Sequence, residues 1–181
     1  MSMLLLFNKP YGVICQFSAS GSKPTLKDYI PVPDVYPAGR LDTDSEGLIV
    51  LTDDGRLQAK ITDPHHKLSK TYWVQVEGAP TDDDLNPLRQ GLDLGDFTSL
   101  AARAKILPSA PTLWKREPPI RFRQHIPTQW LEITLEEGKN RQIRRMTAKI
   151  GFPTLRLVRV AIGPWGLGSL SPGQWRNVFK D

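Results

Sequence analysis

The chain reads as an α+β fold, a mixed and largely antiparallel sheet with short helices flanking it. Three observations predict this. Short apolar or alternating segments recur along the chain, each bounded by turn residues. The helical patterns between them are brief and follow no strand–helix–strand periodicity. Prolines, 16 in 181 residues, punctuate the sequence often enough to cut helices short.

The elements follow in order. Met3–Asn8 is an apolar first strand, and the turn Lys9-Pro10-Tyr11-Gly12 leads to a second expected over Val13–Phe17. Gly21-Ser22-Lys23-Pro24 is loop, and Thr25 is placed to cap a short helix Leu26–Ile30 that Pro31 ends. Gly47–Thr52 is apolar and partly β-branched, closed by Asp53-Asp54-Gly55, so it reads as a buried strand leading to a turn. Arg56–Thr62 has Leu57 and Ile61 at helical spacing. Thr71–Glu77 alternates, with Tyr72, Val74 and Val76 on one face. Thr81 is a candidate cap for a helix through Gln90 that ends at Gly91. Ala101–Leu107 and Trp130–Leu135 are further strands, separated by the proline-rich loop Pro108–Pro119.

The clearest helix follows. Asn140 is the expected cap and Gly151 the stop, with Ile143, Met146 and Ile150 as its apolar stripe. Arg141, Arg145 and Lys149 share another face at i, i+4, i+8, with Arg144 beside them. Leu155–Ile162 closes the pattern as a strand whose Arg156 and Arg159 point to opposite sides. No linker or internal repeat divides the chain, so residues 1–181 are expected to form one domain, two-lobed at most.

Composition narrows the function. With 39% apolar and 24% charged residues the chain is that of a soluble globular protein. No run approaches the ~18 apolar residues of a membrane span, and the N-terminal run is too short for a secretory signal. One cysteine, Cys15, excludes an internal disulfide and any multi-cysteine metal site, and a cytoplasmic location fits it. The adjacent pair His65-His66 does not put both rings on one face and reads as surface. No metal cluster stands out.

Charge is unevenly spread. Net charge is +5, yet from Lys139 to Lys180 there are nine basic residues and no acid. That leaves 15 basic against 18 acidic residues through Gly138. A second basic concentration, Trp114-Lys115-Arg116 and Arg121-Phe122-Arg123-Gln124-His125, alternates cations with aromatics. Cations meet phosphates while rings stack on unpaired bases, so nucleic acid is the expected partner.

The densest polar segment is Gly39-Arg40-Leu41-Asp42-Thr43-Asp44-Ser45-Glu46-Gly47. On its own it reads as an acidic loop whose side chains cap local amides. Together with the strand that follows, through Gly55, it resembles the signature of the pseudouridine synthases that act on ribosomal RNA. Four more blocks resemble that family in the same order. They are Lys9-Pro10-Tyr11-Gly12, Lys70–Val76, Glu137–Met146 and Leu170–Arg176. The blocks extend over nearly the whole chain. Val50 and Asp54 stand where the family's motif more commonly has Leu and Asn.

The resemblance implies that family's fold with a central active-site cleft, and isomerisation of a uridine in ribosomal RNA, large-subunit RNA favoured. Breaking the glycosidic bond and rejoining the uracil through C5 involves no redox change, so no cofactor or metal is implied. Family members often carry a small N-terminal RNA-binding domain; here the catalytic motif comes almost at once, and none is expected. A monomer, away from membranes, is the expected state.

The resemblance also assigns residues. Asp42 is the essential carboxylate, a nucleophile or base that must be ionised. Removal from water disfavours that charge, so a cation should sit beside it, and Lys139 matches the family's. Tyr72 matches the tyrosine that stacks on the target uracil. A phenol is a poor base at pH 7 without nearby positive charge, so stacking is favoured over proton abstraction. Arg40 matches the arginine that fills the place of the everted nucleotide. Ile143 matches an apolar pocket position, and Arg141, Arg144, Arg145 and Lys149 are assigned to phosphates. The alternatives are a ribosomal RNA-binding or assembly protein without catalysis, and a glycosidase-like hydrolase.

Overall fold

Six consecutive buried residues, Leu4–Lys9, form β1 of the computed structural model, which describes residues 2–180. Burial of successive residues means that both faces of β1 are covered, and both of its edges are paired. Antiparallel β3 (Glu46–Thr52) pairs along one, from Leu4↔Thr52 to Lys9↔Gly47. The late strand β9 (Trp175–Asn177) pairs along the other. The short β2 (Tyr36–Pro37) adds to the far edge of β3. One face of these strands is covered by Val13, Leu26, Ile30, Val35 and Leu41, which pack on Leu5, Phe7, Ile49 and Leu51.

These elements belong to the first of two units, which comprises residues through Leu68 and from Arg159 onward; Ser69–Val158 make the second. In the first unit the helix α1 (Gly55–Thr62) follows β3. Asp54 caps it, accepting from the Arg56 and Leu57 amides at 2.9 and 3.2 Å. Thr25 is the cap, as expected, and forms a capping box with Asp28, but the helix it opens is a single 3-10 turn, Leu26–Asp28.

Val13–Phe17 is not a strand. Its side chains Val13 and Cys15 are buried, as their alternation predicts. Its backbone instead bonds the neighbouring loop, Ile14 N–H to Pro24 carbonyl and Leu26 N–H to Gln16 carbonyl, both at 2.9 Å. The neighbouring β1 has no vacant edge to offer it.

In the second unit the order is β5-β6-β4, all antiparallel. Strand β4 is Lys70–Glu77, β5 is Arg103–Ile106 and β6 is Thr128–Leu135. Tyr72, Val74 and Val76 alternate into the core with Leu131, Ile133 and Leu135. On the other face cross-strand polar pairs align, Thr71 with Thr134 at 3.1 Å and Trp73 Nε1 donating to Glu132 at 3.2 Å. The helix expected over Thr81–Gln90 is broken into a 3-10 turn, Asp83–Leu85, and α2, Asn86–Gln90. Pro87 is the reason: it has no N–H for the Asp83 carbonyl, and its ring opposes the preceding turn.

The basic helix α3 runs over Gln142–Lys149. Asn140 does not cap it. Arg141 occupies that position in the left-handed conformation (φ +51°) and makes no side-chain cap. The Gln142 side chain folds back on the preceding turn, accepting from the Lys139 amide at 3.1 Å. Burial of Ile143 and Met146, each worth ~1.5–3 kcal/mol, sets the helix against β4 and β6. Strand β7 (Thr154–Ile162) passes from the second unit into the first at Val158–Arg159, and β8 (Trp165–Gly166) folds back on its end. No helix among the described residues is long and apolar enough to cross a membrane.

Candidate active site

The acidic loop Arg40–Glu46 enters β3, and two buried cations hold it by its carbonyls. The first is Lys9, whose side chain is fully buried. The register Lys9↔Gly47 brings the end of β1 beneath the loop. An ammonium has three N–H groups, and Lys9 Nζ donates to three carbonyls: Pro10 and Val13 at 2.8 Å and Thr43 at 3.3 Å. The Thr43 carbonyl also accepts from the Gly12 amide at 2.8 Å, and the Ser45 amide closes a turn on the Asp42 carbonyl at 3.0 Å. Burial pulls Lys9 down from 10.5 to about 8, against the opposing influence of Cys15, Glu46, Asp44 and Asp42.

The second cation is Arg159, 4% exposed, on the part of β7 that belongs to the same unit. Its Nε donates to the Leu48 carbonyl at 2.9 Å and its Nη1 to the Arg40 carbonyl at 3.4 Å. The strands approach closely enough that Gly47 is obligatory: a Cβ there would lie 2.2 Å from the Arg159 carbonyl oxygen, and φ is +110°. Asp42 is therefore bracketed, with the Arg40 carbonyl tied on one side and the Thr43 carbonyl on the other. The Asp42 side chain is half-buried and that of Arg40 is exposed. Such a loop presents a carboxylate from a fixed backbone, which nucleophilic or base chemistry requires.

The remaining expected site residues lie in the second unit. Tyr72 and Ile143 share its core cluster, Tyr72 at 8% exposure. Lys139 is exposed, its Nζ 5.7 Å from the Phe97 ring centroid. Arg145 lies over the same ring at 5.4 Å, pairs with Asp96 at 2.5 Å and donates to the Leu94 carbonyl at 3.1 Å. Arg141, before the helix begins, does not share the register of Arg145 and Lys149; Arg141 and Lys149 are exposed and Arg144 is half-buried. His65 and His66 are surface groups beside Asp63, whose carboxylate caps their turn. Among the described residues no group of His, Cys, Asp or Glu could hold a metal ion.

Sequence reasoning assigned no role to Lys9, Arg159 or Gly47. The first carried one signal: a lysine ending an apolar strand just before Pro-Tyr-Gly. For Arg159 the signal was a cation in the middle of an apolar strand.

Residues 3–149 match the family described as RNA pseudouridylate synthase. The chain is 59% identical over 175 residues to "Ribosomal large subunit pseudouridine synthase E" of Vibrio parahaemolyticus, covering 97% of this chain and 73% of that one. It is 57% identical over 176 residues to the protein of the same name from Xanthomonas campestris, covering 96% and 94%. A crystal structure described as a pseudouridylate synthase superposes with a TM-score of 0.81 at 27% identity, covering 98% of this chain and 70% of that one.

Proposed function

This chain belongs to the RNA pseudouridylate synthase family, and we propose that it isomerises one uridine of large-subunit ribosomal RNA to pseudouridine. The observation that carries the reading is the near full-length likeness to relatives named for that activity. The anchored Asp42 loop supports it from the structural side.

In this reading Asp42 is the carboxylate that attacks the ribose or takes its proton, freeing the uracil to turn and rejoin through C5. Tyr72 stacks on the uracil, and Ile143 lines its pocket. Arg40, exposed on the tied loop, fills the gap left by the everted nucleotide, whose extrusion costs a few kcal/mol. The cation for Asp42 comes from the segment that opens α3. The resemblance supplies Lys139 for this role. Arg141, Arg144 and Lys149 bind phosphates, whereas Arg145, committed to Asp96, holds the 93–98 loop. Both units act as one catalytic domain, a monomer in the cytoplasm.

Release of tritium from C5-labelled large-subunit RNA tests the proposal. The protein should release it with no change in RNA mass, and Asp42→Asn should bind the RNA and release none. Binding without isomerisation would favour an assembly protein instead. Free uracil with an abasic site would mark a hydrolase.

A further inference from the structure

Strands β5 and β6 are hydrogen-bonded neighbours, from Arg103↔Thr134 to Ile106↔Leu131, and Leu107 N–H continues the ladder to the Trp130 carbonyl at 2.9 Å. Two to five residues suffice to join such a pair. The chain instead detours through residues 108–127 without regular secondary structure.

The detour is held in place. Arg156, buried on β7, donates to the Trp114 carbonyl at 2.9 Å and lies 5.7 Å from that ring's centroid. Arg116 donates to the carbonyls of Pro118 at 2.8 Å and of Leu155 at 3.3 Å. Arg123 pairs with Glu77, and the Gly78 amide donates to the Pro127 carbonyl at 2.7 Å. Trp114 and Arg116, the residues that the sequence suggests as RNA contacts, are thus engaged within the protein.

Phe122 faces outward. It is 60% exposed within this braced loop, next in sequence to Arg121 and Arg123 and close to Gln124 and His125. Residues 115–125 include Lys115, Arg116, Arg121 and Arg123 against the single acid Glu117. An apolar protein partner would call for further exposed apolar residues nearby; the adjacent residues in sequence are cationic and polar. An exposed ring in a segment rich in arginine suits an unpaired base and the phosphates next to it.

We propose that Phe122, with Arg121 beside it, is a stacking platform for an unpaired base of the RNA substrate other than the isomerised uridine. The proposal rests on the RNA-modifying reading above and adds where a second part of the RNA docks. Because the ring is exposed, Phe122→Ala should leave thermal stability nearly unchanged.

Two measurements test it: tritium release from a C5-labelled large-subunit RNA transcript, and equilibrium binding of a fluorescein-labelled single-stranded oligoadenylate. Phe122→Ala should raise KM roughly 5- to 50-fold with kcat retained, and weaken oligoadenylate binding similarly. Phe122→Trp should restore both. Arg121→Ala should lower the salt slope of binding by about 0.7. Unchanged KM and unchanged oligoadenylate affinity in Phe122→Ala would overturn the platform, whatever else binds there. Absence of turnover by the unaltered protein, with Phe122-dependent binding intact, would overturn the isomerase reading and leave the platform standing.

Discussion

Lys9 Nζ donates to the Thr43 carbonyl at 3.3 Å, one residue beyond Asp42. Arg159 holds the Arg40 carbonyl at 3.4 Å, two residues before it. The carboxylate is set in place by main-chain carbonyls gripped from beneath, not by a partner on its own side chain alone. The loop that carries Asp42 is thereby fixed through its backbone.

Lys9→Met should cost on the order of 3 kcal/mol of stability. The Pro10 and Val13 carbonyls and one bond to Thr43 lose their donor in a buried setting, and each unmet buried group costs about 1–3 kcal/mol. Relief of the desolvated ammonium offsets part of the sum. Urea unfolding measures the loss. Turnover by the variant, assayed where it is folded, should fall more than its RNA affinity.

Lys9 also makes stability depend on pH in the alkaline range. Burial lowers it to about 8 in the folded protein from 10.5. Between these values the unfolded chain holds the proton more fully than the folded one, so stability from this group rises with pH. Below about pH 8 both states are protonated and the burial penalty is fully present. The difference in unfolding free energy between the original protein and Lys9→Met should therefore widen from pH 8 to pH 10.5. A constant difference would contradict the buried, charged lysine.

Gly47→Ala should be severely destabilising, by about 3 kcal/mol or more. The new Cβ meets backbone at 2.2 Å from the Arg159 carbonyl oxygen, which no side-chain rotation relieves, and the backbone sits at φ +110°. Thermal unfolding should show the loss, and any folded fraction should be impaired in turnover because Leu48 and Arg40 lose register with Arg159.

Arg145→Ala and Lys149→Ala separate structural from phosphate-binding cations. Lys149 is exposed on α3, so its removal should lower the salt slope of RNA binding by roughly one unit. Arg145 already pairs with Asp96. Its removal should change the slope less and loosen the loop around Phe97, which hydrogen exchange at Leu94 and Phe97 would report.

Much of this protein was legible in its sequence. Apolar runs and alternation located β1, β3, β4 and β6, because burial repeats every second residue along a strand. The ordered motifs identified the family and singled out Asp42. Local pattern failed where a choice depended on distant chain. Val13–Phe17 alternates like a strand but β1 had already given its edges to β3 and β9. Asn140 is a good cap by composition, yet Arg141, in the left-handed conformation, takes the cap position. Only the tertiary structure decided that Lys9 and Arg159 would grip the loop, since strand register brings together residues more than thirty and more than one hundred positions apart. It likewise set Trp114 against Arg156 and left Phe122 exposed. Periodicity reports which side of an element faces water, but not which distant carbonyl a buried cation will find.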